Sequence, residues 1–126
     1  MRVLIINPNS DQETADVLSK TAQSFLEDRG EFDVVSMRTA PKLVVTYEDQ
    51  AASAMELIAT VRAGRERYDA FILACHADPN LDLVREVAGG KPVFGIAEAS
   101  MRMAAMLHGG YAVITPSEKI IPKKFA

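Results

Sequence analysis

A parallel β-sheet covered by helices on both faces is the architecture this sequence predicts. Short runs of apolar, β-branched residues recur along the chain, each of strand length and without the polar alternation of a half-solvated sheet. Between them lie stretches with apolar residues at helical spacing, and the joints are short turns marked by Pro, Asn or Gly. Strands alternating with helices through short connections are the pattern of βαβ units, which makes successive strands parallel.

Arg2–Asn7 reads as a strand buried on both faces. It runs into Asn7-Pro8-Asn9-Ser10, where proline forbids ladder pairing and asparagine suits a turn. Ser10 and Glu13 form a capping-box pattern, so a helix is expected from there, with Thr14, Val17, Leu18, Thr21, Ala22 and Phe25 on its inner face and Gly30 as its stop. Glu31–Arg38 is the second strand, and Leu43-Val44-Val45 a short extended piece. Glu48 to about Arg67 is a helix, with Ala51, Ala54, Met55, Ile58 and Val61 or Arg62 along one face.

Asp69–Cys75, the most apolar stretch, is the third strand. It leads through Pro79 into a short helix ending near Val87. Pro92–Ala97 is a fourth strand, Glu98–Leu107 a Met/Ala-rich helix closed by Gly109-Gly110, and Tyr111–Thr115 a fifth strand. Ligand sites of such sheets lie at the carboxyl ends of the strands. Asn7, Cys75, Glu98 and Thr115 all fall there.

On length alone, 126 residues make one domain, and 48% hydrophobic content supports a real core. A net charge of -3 with interspersed signs gives no footprint for nucleic acid or anionic membranes. No apolar run approaches a membrane span, and the N-terminal run is too short for a signal-peptide core. A single cysteine makes neither an internal disulfide nor a zinc site, so the expected address is the reducing cytoplasm. There is no ligand cluster for a metal, no glycine-rich phosphate cradle and no nucleophile-elbow motif.

Val3–Ser10 has an echo in Ala112-Val113-Ile114-Thr115-Pro116-Ser117: apolar strand, small polar residue, proline, serine. The same run is also common in unrelated α/β proteins. If the two are equivalent starts, the repeat spans about a hundred residues, the size of a small domain. Its second copy then stops as its first helix begins, leaving the strand at Tyr111 with an uncovered apolar face that invites self-association.

Cys75 is the prime chemical candidate. A thiol at a strand end entering a helix is acidified by backbone N–H groups and the helix dipole, and the thiolate then serves as nucleophile or general base. The alternative is a buried, inert cysteine. His76 either tunes Cys75 or sits on the rim, since adjacent extended residues point to opposite sides. His108, before a Gly-Gly stop, reads as structural. Asn7, Asn9 and Ser10 form a polar elbow suited to an anion, or a plain turn and cap. Asp78, Asp82 and Glu86 read as a solvated helix face.

Three blocks taken together resemble the hydantoin racemase branch of the aspartate/glutamate racemase superfamily. They are Ile5-Ile6-Asn7-Pro8-Asn9-Ser10 with Thr14, Ala74–Asp82, and Pro92–Ser100, in order and in register nearly end to end. The resemblance implies a flavodoxin-like parallel sheet in each of two pseudo-symmetric domains, here a first domain over 1–97 and the truncated start of a second over 98–126. It implies a cofactor-independent enzyme for hydantoins, allantoin-like compounds or amino-acid derivatives. In such enzymes one cysteine from each domain flanks a carbon next to a carbonyl. Cys75 matches the first-domain cysteine. Asn7, Asn9 and Ser10 match the elbow bordering the substrate, and Thr115 and Ser117 match its second-domain counterpart. His76-Ala77 replaces the Phe-Gly usual in this branch, and the Asn-Thr of the amino-acid racemases is absent too. The second cysteine belongs to the half not present, so the chain by itself is expected to be inactive. A single-cysteine decarboxylase or isomerase of the superfamily, and a non-catalytic remnant acting by association, are the alternatives.

Overall fold

The structure, a computed structural model, describes residues 1–115 and 118. Four strands, β1 (Arg2–Asn7), β2 (Glu31–Ser36), β3 (Ala70–Leu73) and β4 (Val93–Gly95), alternate with α1 (Gln12–Leu26), α2 (Tyr47–Gly64), α3 (Leu81–Val87) and α4 (Ile96–His108). The sheet is parallel throughout, in the order β2-β1-β3-β4. The predicted α/β sheet with helices on both faces is therefore present. No described helix is long and apolar enough to cross a membrane.

Strand alternation divides the core in two. Leu4, Ile6, Phe71, Leu73 and Val93 point to one face, where Leu57 and Val61 of α2 and Val84 and Val87 of α3 meet them. Val3, Ile5, Ala70 and Ala74 point to the other face, packed by Leu18 and Ala22 of α1. The second cluster is smaller, and β4 places Phe94 on that side 53% exposed.

Several boundaries differ from expectation, each for a physical reason. The cap of α1 is Asp11 rather than Ser10, because its carboxylate accepts both the backbone N–H of Thr14 (3.1 Å) and the Thr14 hydroxyl (2.6 Å). Leu18 and Ala22 pack on the sheet as expected, joined by Ala15, while Val17 and Phe25 are 62% and 75% exposed. Helix α1 ends at Leu26, before Gly30. Helix α2 carries the capping box instead, made by Thr46 and Asp49. Its buried seam is Ser53, Leu57, Val61 and Gly64, with Met55 outside. Gly64 lets the helix end lie against the rings of Tyr68 and Phe71, since a Cβ there would come 3.0 and 3.1 Å from them. Leu43–Val45 forms no strand, and β3 and β4 are shorter than predicted.

The expected fifth strand is not formed. Tyr111–Thr115 has strand-like composition but pairs with no strand among the described residues, and without a ladder partner its backbone stays irregular. Pro116 and Ser117, the end of the expected repeat, lie outside the described residues. The domain boundary expected at 97/98 falls in the first turn of α4.

Candidate active site

From β1 the chain crosses to β2 on one side, while β3 lies on the other. The carboxyl ends of β1 and β3 therefore flank the point where strand order reverses, the place at which parallel sheets open a crevice. Ile6 is in register with Leu73, and the Ala74 N–H donates to the Ile6 carbonyl at 2.8 Å. This brings the elbow after β1 and the cysteine turn after β3 side by side.

The elbow is a closed polar knot. Asn7 is fully buried, and its Nδ2 donates to Asn9 Oδ1 (2.7 Å), the Asp11 carbonyl (3.1 Å) and Ser36 Oγ (3.1 Å). Its Oδ1 accepts from the Asn9 N–H at 3.4 Å, and Asn9 Oδ1 also takes the Asp11 N–H at 2.9 Å. These bonds stand in for strand pairing that Pro8 ends and deliver the chain to the α1 cap. Ser10, half-buried, donates its N–H to the Pro41 carbonyl at 3.2 Å. Beyond it, the Asp11 carboxyl is held below the usual carboxylate range by its bonds from Thr14, with Lys42 at 3.4 Å adding to the effect.

Cys75 lies two residues past the end of β3 and is half-buried; His76 beside it is exposed. The helix expected to open at Pro79 begins at Leu81, six residues beyond Cys75, so the thiol does not sit at its first turn. Between them the chain makes a tight turn, in which the Asp78 N–H donates to the Cys75 carbonyl at 3.0 Å. Asp78 and Asn80 both have positive φ, 44° and 60°. Asn80 Nδ2 donates to the Gln50 carbonyl (2.7 Å) and to Ser53 Oγ (3.2 Å), tying the turn to α2.

Asp78 does not belong to a solvated helix face. It precedes α3, and its carboxylate accepts the N–H groups of Ala97 (3.0 Å) and Glu98 (2.6 Å) at the start of α4. Asp82 and Glu86 are exposed, as expected. Glu98 is bonded by Arg85 of α3 and by Arg102 one turn on (2.9 Å). These partners, Arg85 foremost, hold its carboxyl below the usual range.

His76, Ala97, Ser100, Met101 and Ala104 border a cleft of about 250 Å³ that Tyr111–Ile114 close from the other side. Thr115, half-buried, follows directly. The structure thus brings Asn7, Asn9, Ser10, Cys75 and His76 to one end of the sheet, with the segment leading to Thr115 beside His76. Ser117 is outside the described residues. His108 is an exposed residue of the last turn of α4. Among the described residues no cluster of three or more His, Cys, Asp or Glu is placed to hold a metal ion.

Asp78, Asn80, Ser36 and Gly95 are the site residues that the sequence did not disclose. Gly95, a glycine ending an apolar strand, was the one available signal.

The Asp/Glu/Hydantoin racemase family model matches residues 3–122. A hydantoin racemase of Pseudomonas sp. (strain NS671) is 34% identical over 95% of this chain and 48% of its own length. One from Paenarthrobacter aurescens is 32% identical over 91% of this chain and 49% of its own. The solved allantoin racemase of Klebsiella pneumoniae superposes with a TM-score of 0.77 at 34% identity, covering 84% of this chain and 43% of that one. That of Pseudomonas fluorescens reaches 0.89 at 22% identity, over 98% of this chain and 52% of that one, and bears on the fold. The chain spans about half the length of the curated relatives it matches.

Proposed function

Since the chain belongs to the Asp/Glu/hydantoin racemase family, in its hydantoin racemase branch, we propose that it forms the N-terminal portion of a cofactor-independent racemase or epimerase. The substrate is a small molecule with an acidic C–H beside a carbonyl: a hydantoin, an allantoin-like compound or an amino-acid derivative. Cys75 is the group that takes or returns the proton on one face. The observation that carries this reading is the place of Cys75, at the carboxyl end of β3 beside the Asn7 elbow, where strand order reverses.

The residues divide by exposure. Asn7 is buried with its amide engaged, so it shapes the elbow from beneath. Ser10, Cys75 and His76 form the accessible edge that borders the substrate. Asn9 links the two layers, and Thr115 and Ser117 bring the corresponding elbow of a second unit that begins near residue 98. The reaction balances simply. A thiolate at Cys75 removes the proton to leave a planar carbanion delocalised onto the carbonyl, and inversion requires a proton delivered to the opposite face. One thiol does not serve both faces.

The test uses the purified chain with a single enantiomer of a 5-substituted hydantoin, followed by optical rotation. No racemisation is expected, while alkylation of Cys75 is slowed by the hydantoin. Racemisation by the chain that Cys75→Ser abolishes refutes the two-thiol requirement, and alkylation indifferent to hydantoin refutes the site. A reduced thiol suits a cytoplasmic address. Self-association is the remaining proposal, now through α4 rather than a fifth strand. Met103, Met106 and Leu107, at helical spacing on one face, are 56%, 81% and 66% exposed.

A further inference from the structure

We propose that Asp78 is a positioning residue for Cys75, and that Gly95 is glycine in order to admit it. This rests on the reading of Cys75 as the reacting group. A helix usually satisfies its first N–H groups with a Ser, Thr, Asp or Asn at its own N-cap. Helix α4 has Gly95 at that position and no side-chain bond from it. Its second and third N–H groups are taken instead by Asp78, a residue of the cysteine turn 19 and 20 positions earlier. The exchange is enforced by space. A Cβ on Gly95 would lie 2.5 Å from Asp78 Cγ and 2.6 and 2.7 Å from its oxygens. A local cap and the remote carboxylate exclude each other.

The consequence reaches the thiol through the backbone. The Asp78 N–H closes the turn on the Cys75 carbonyl at 3.0 Å, while the same residue's carboxylate grips α4. Asp78 holds φ 44°, a left-handed conformation that an L residue adopts at a cost and that these bonds offset. Asn80 fixes the far end of the turn to α2. Cys75 is therefore clamped between two helices, and α4 presents Ala97, Ser100, Met101 and Ala104 to the cleft beside His76. Asp78 sets both where the thiol sits and how far α4 stands from it. A plain cap would stabilise α4 and leave the thiol unchanged.

The experiment is the rate of iodoacetamide alkylation of Cys75 against pH, with urea unfolding measured in parallel. Asp78→Ala and Gly95→Ala attack the contact from opposite sides, and each is expected to raise the alkylation rate at its high-pH plateau at least about threefold through local release of the turn. Asp78→Asn, which keeps one acceptor oxygen, is expected to fall between Asp78→Ala and wild type, and is the milder variant should Asp78→Ala fail to fold. Tyr68→Phe, which removes the bond from the Tyr68 hydroxyl to Asp33 at the opposite, amino end of the sheet, serves as the control for lost stability alone and is expected to leave the alkylation profile unchanged. Wild-type profiles in Asp78→Asn and Gly95→Ala overturn the proposal, as does an equal change in Tyr68→Phe. The readout is the thiol itself, so it holds whether or not the chain turns over a substrate; the optical-rotation test bears on catalysis alone.

Discussion

Replacing Asn7 with aspartate is the sharpest probe of the elbow, because it changes one atom and reverses the logic of the knot. In the native chain the Asn7 amide nitrogen faces Asn9 Oδ1, the Asp11 carbonyl and Ser36 Oγ, all within 3.1 Å. Two amide hydrogens serve these three acceptors, so one is shared. Asn7→Asp puts an acceptor where that donor stood. The Ser36 hydroxyl can rotate to donate, but Asn9 Oδ1 is already held by its own donors' geometry and the carbonyl has no proton to give.

Leaving the carboxylate charged in a fully buried site costs several kcal/mol. The cost has a ceiling, because the group can take up a proton instead. From an ordinary aspartate value near 4, holding it neutral at pH 7 costs about 4 kcal/mol, and at pH 5 only about 1.4 kcal/mol. Lost donation from the amide adds about 1 kcal/mol. The expected loss is therefore about 3–5 kcal/mol at pH 7, shrinking by up to about 2.7 kcal/mol at pH 5. The sign follows from a folded-state pKa raised by burial: the variant gains stability relative to wild type as pH falls toward the unfolded value. Urea unfolding at the two pH values reads this directly, with a midpoint drop of about 2 M at pH 7 for a typical small-domain slope. A loss that is the same at both pH values, or none, refutes the picture of Asn7 as a buried donor hub.

Wild type is expected to show the opposite trend at lower pH. The carboxyls of Asp11 (bonded by Thr14), Asp33 (bonded by Tyr68 and then Arg2) and Glu98 (bonded by Arg85 and Arg102) are all held below their usual range. Their contribution is complete above an ordinary carboxylate pKa and is lost as pH falls through the lowered values, so urea midpoints should stay level from pH 7 to about 5 and decline below about 4. A midpoint that holds steady down to pH 2 contradicts this. For self-association, light scattering of the purified chain should give a mass above that of one copy, reduced by Met106→Glu; a monomer in both cases removes α4 as an interface.

How far the sequence disclosed this protein depends on the range of each interaction. Continuous apolar runs identified β1 and β3 because a strand buried on both faces needs no polar alternation, and their order with the helices set the parallel sheet. On α2, Val61 and Ile58 pack inward as the spacing predicts, whereas Ala51 and Met55 face out, because Ala and Met occur on several sides of this helix. The seam is set by two small residues, Gly64, which lets the helix end approach Tyr68 and Phe71, and Ser53, which meets Asn80 of the cysteine turn. The cap of α1 moved one residue because two acceptors compete there and a carboxylate wins over a hydroxyl. Tyr111–Thr115 had the composition of a strand, but a strand also requires a neighbour. The role of Asp78 was illegible for a different reason: a carboxylate capping a helix 19 residues away leaves no local pattern.

That last point bears on what the site asks of its scaffold. Proton transfer at carbon demands a base placed to a fraction of an ångström, and loops are poor at this unless tied to rigid elements. Cys75 sits on a turn, yet two residues of that turn are fastened to helices by their side chains, Asp78 to α4 and Asn80 to α2. The elbow beside it is fastened to itself and to β2 through Ser36. Asn7 and Asn9, which read from the sequence as candidate substrate ligands, therefore stiffen the crevice, and Ser10, Cys75 and His76 are the more accessible residues of that end of the sheet. His76, exposed beside Cys75, makes none of the bonds that hold the turn through Asp78 and Asn80, so a change at that position alters the rim without loosening the thiol.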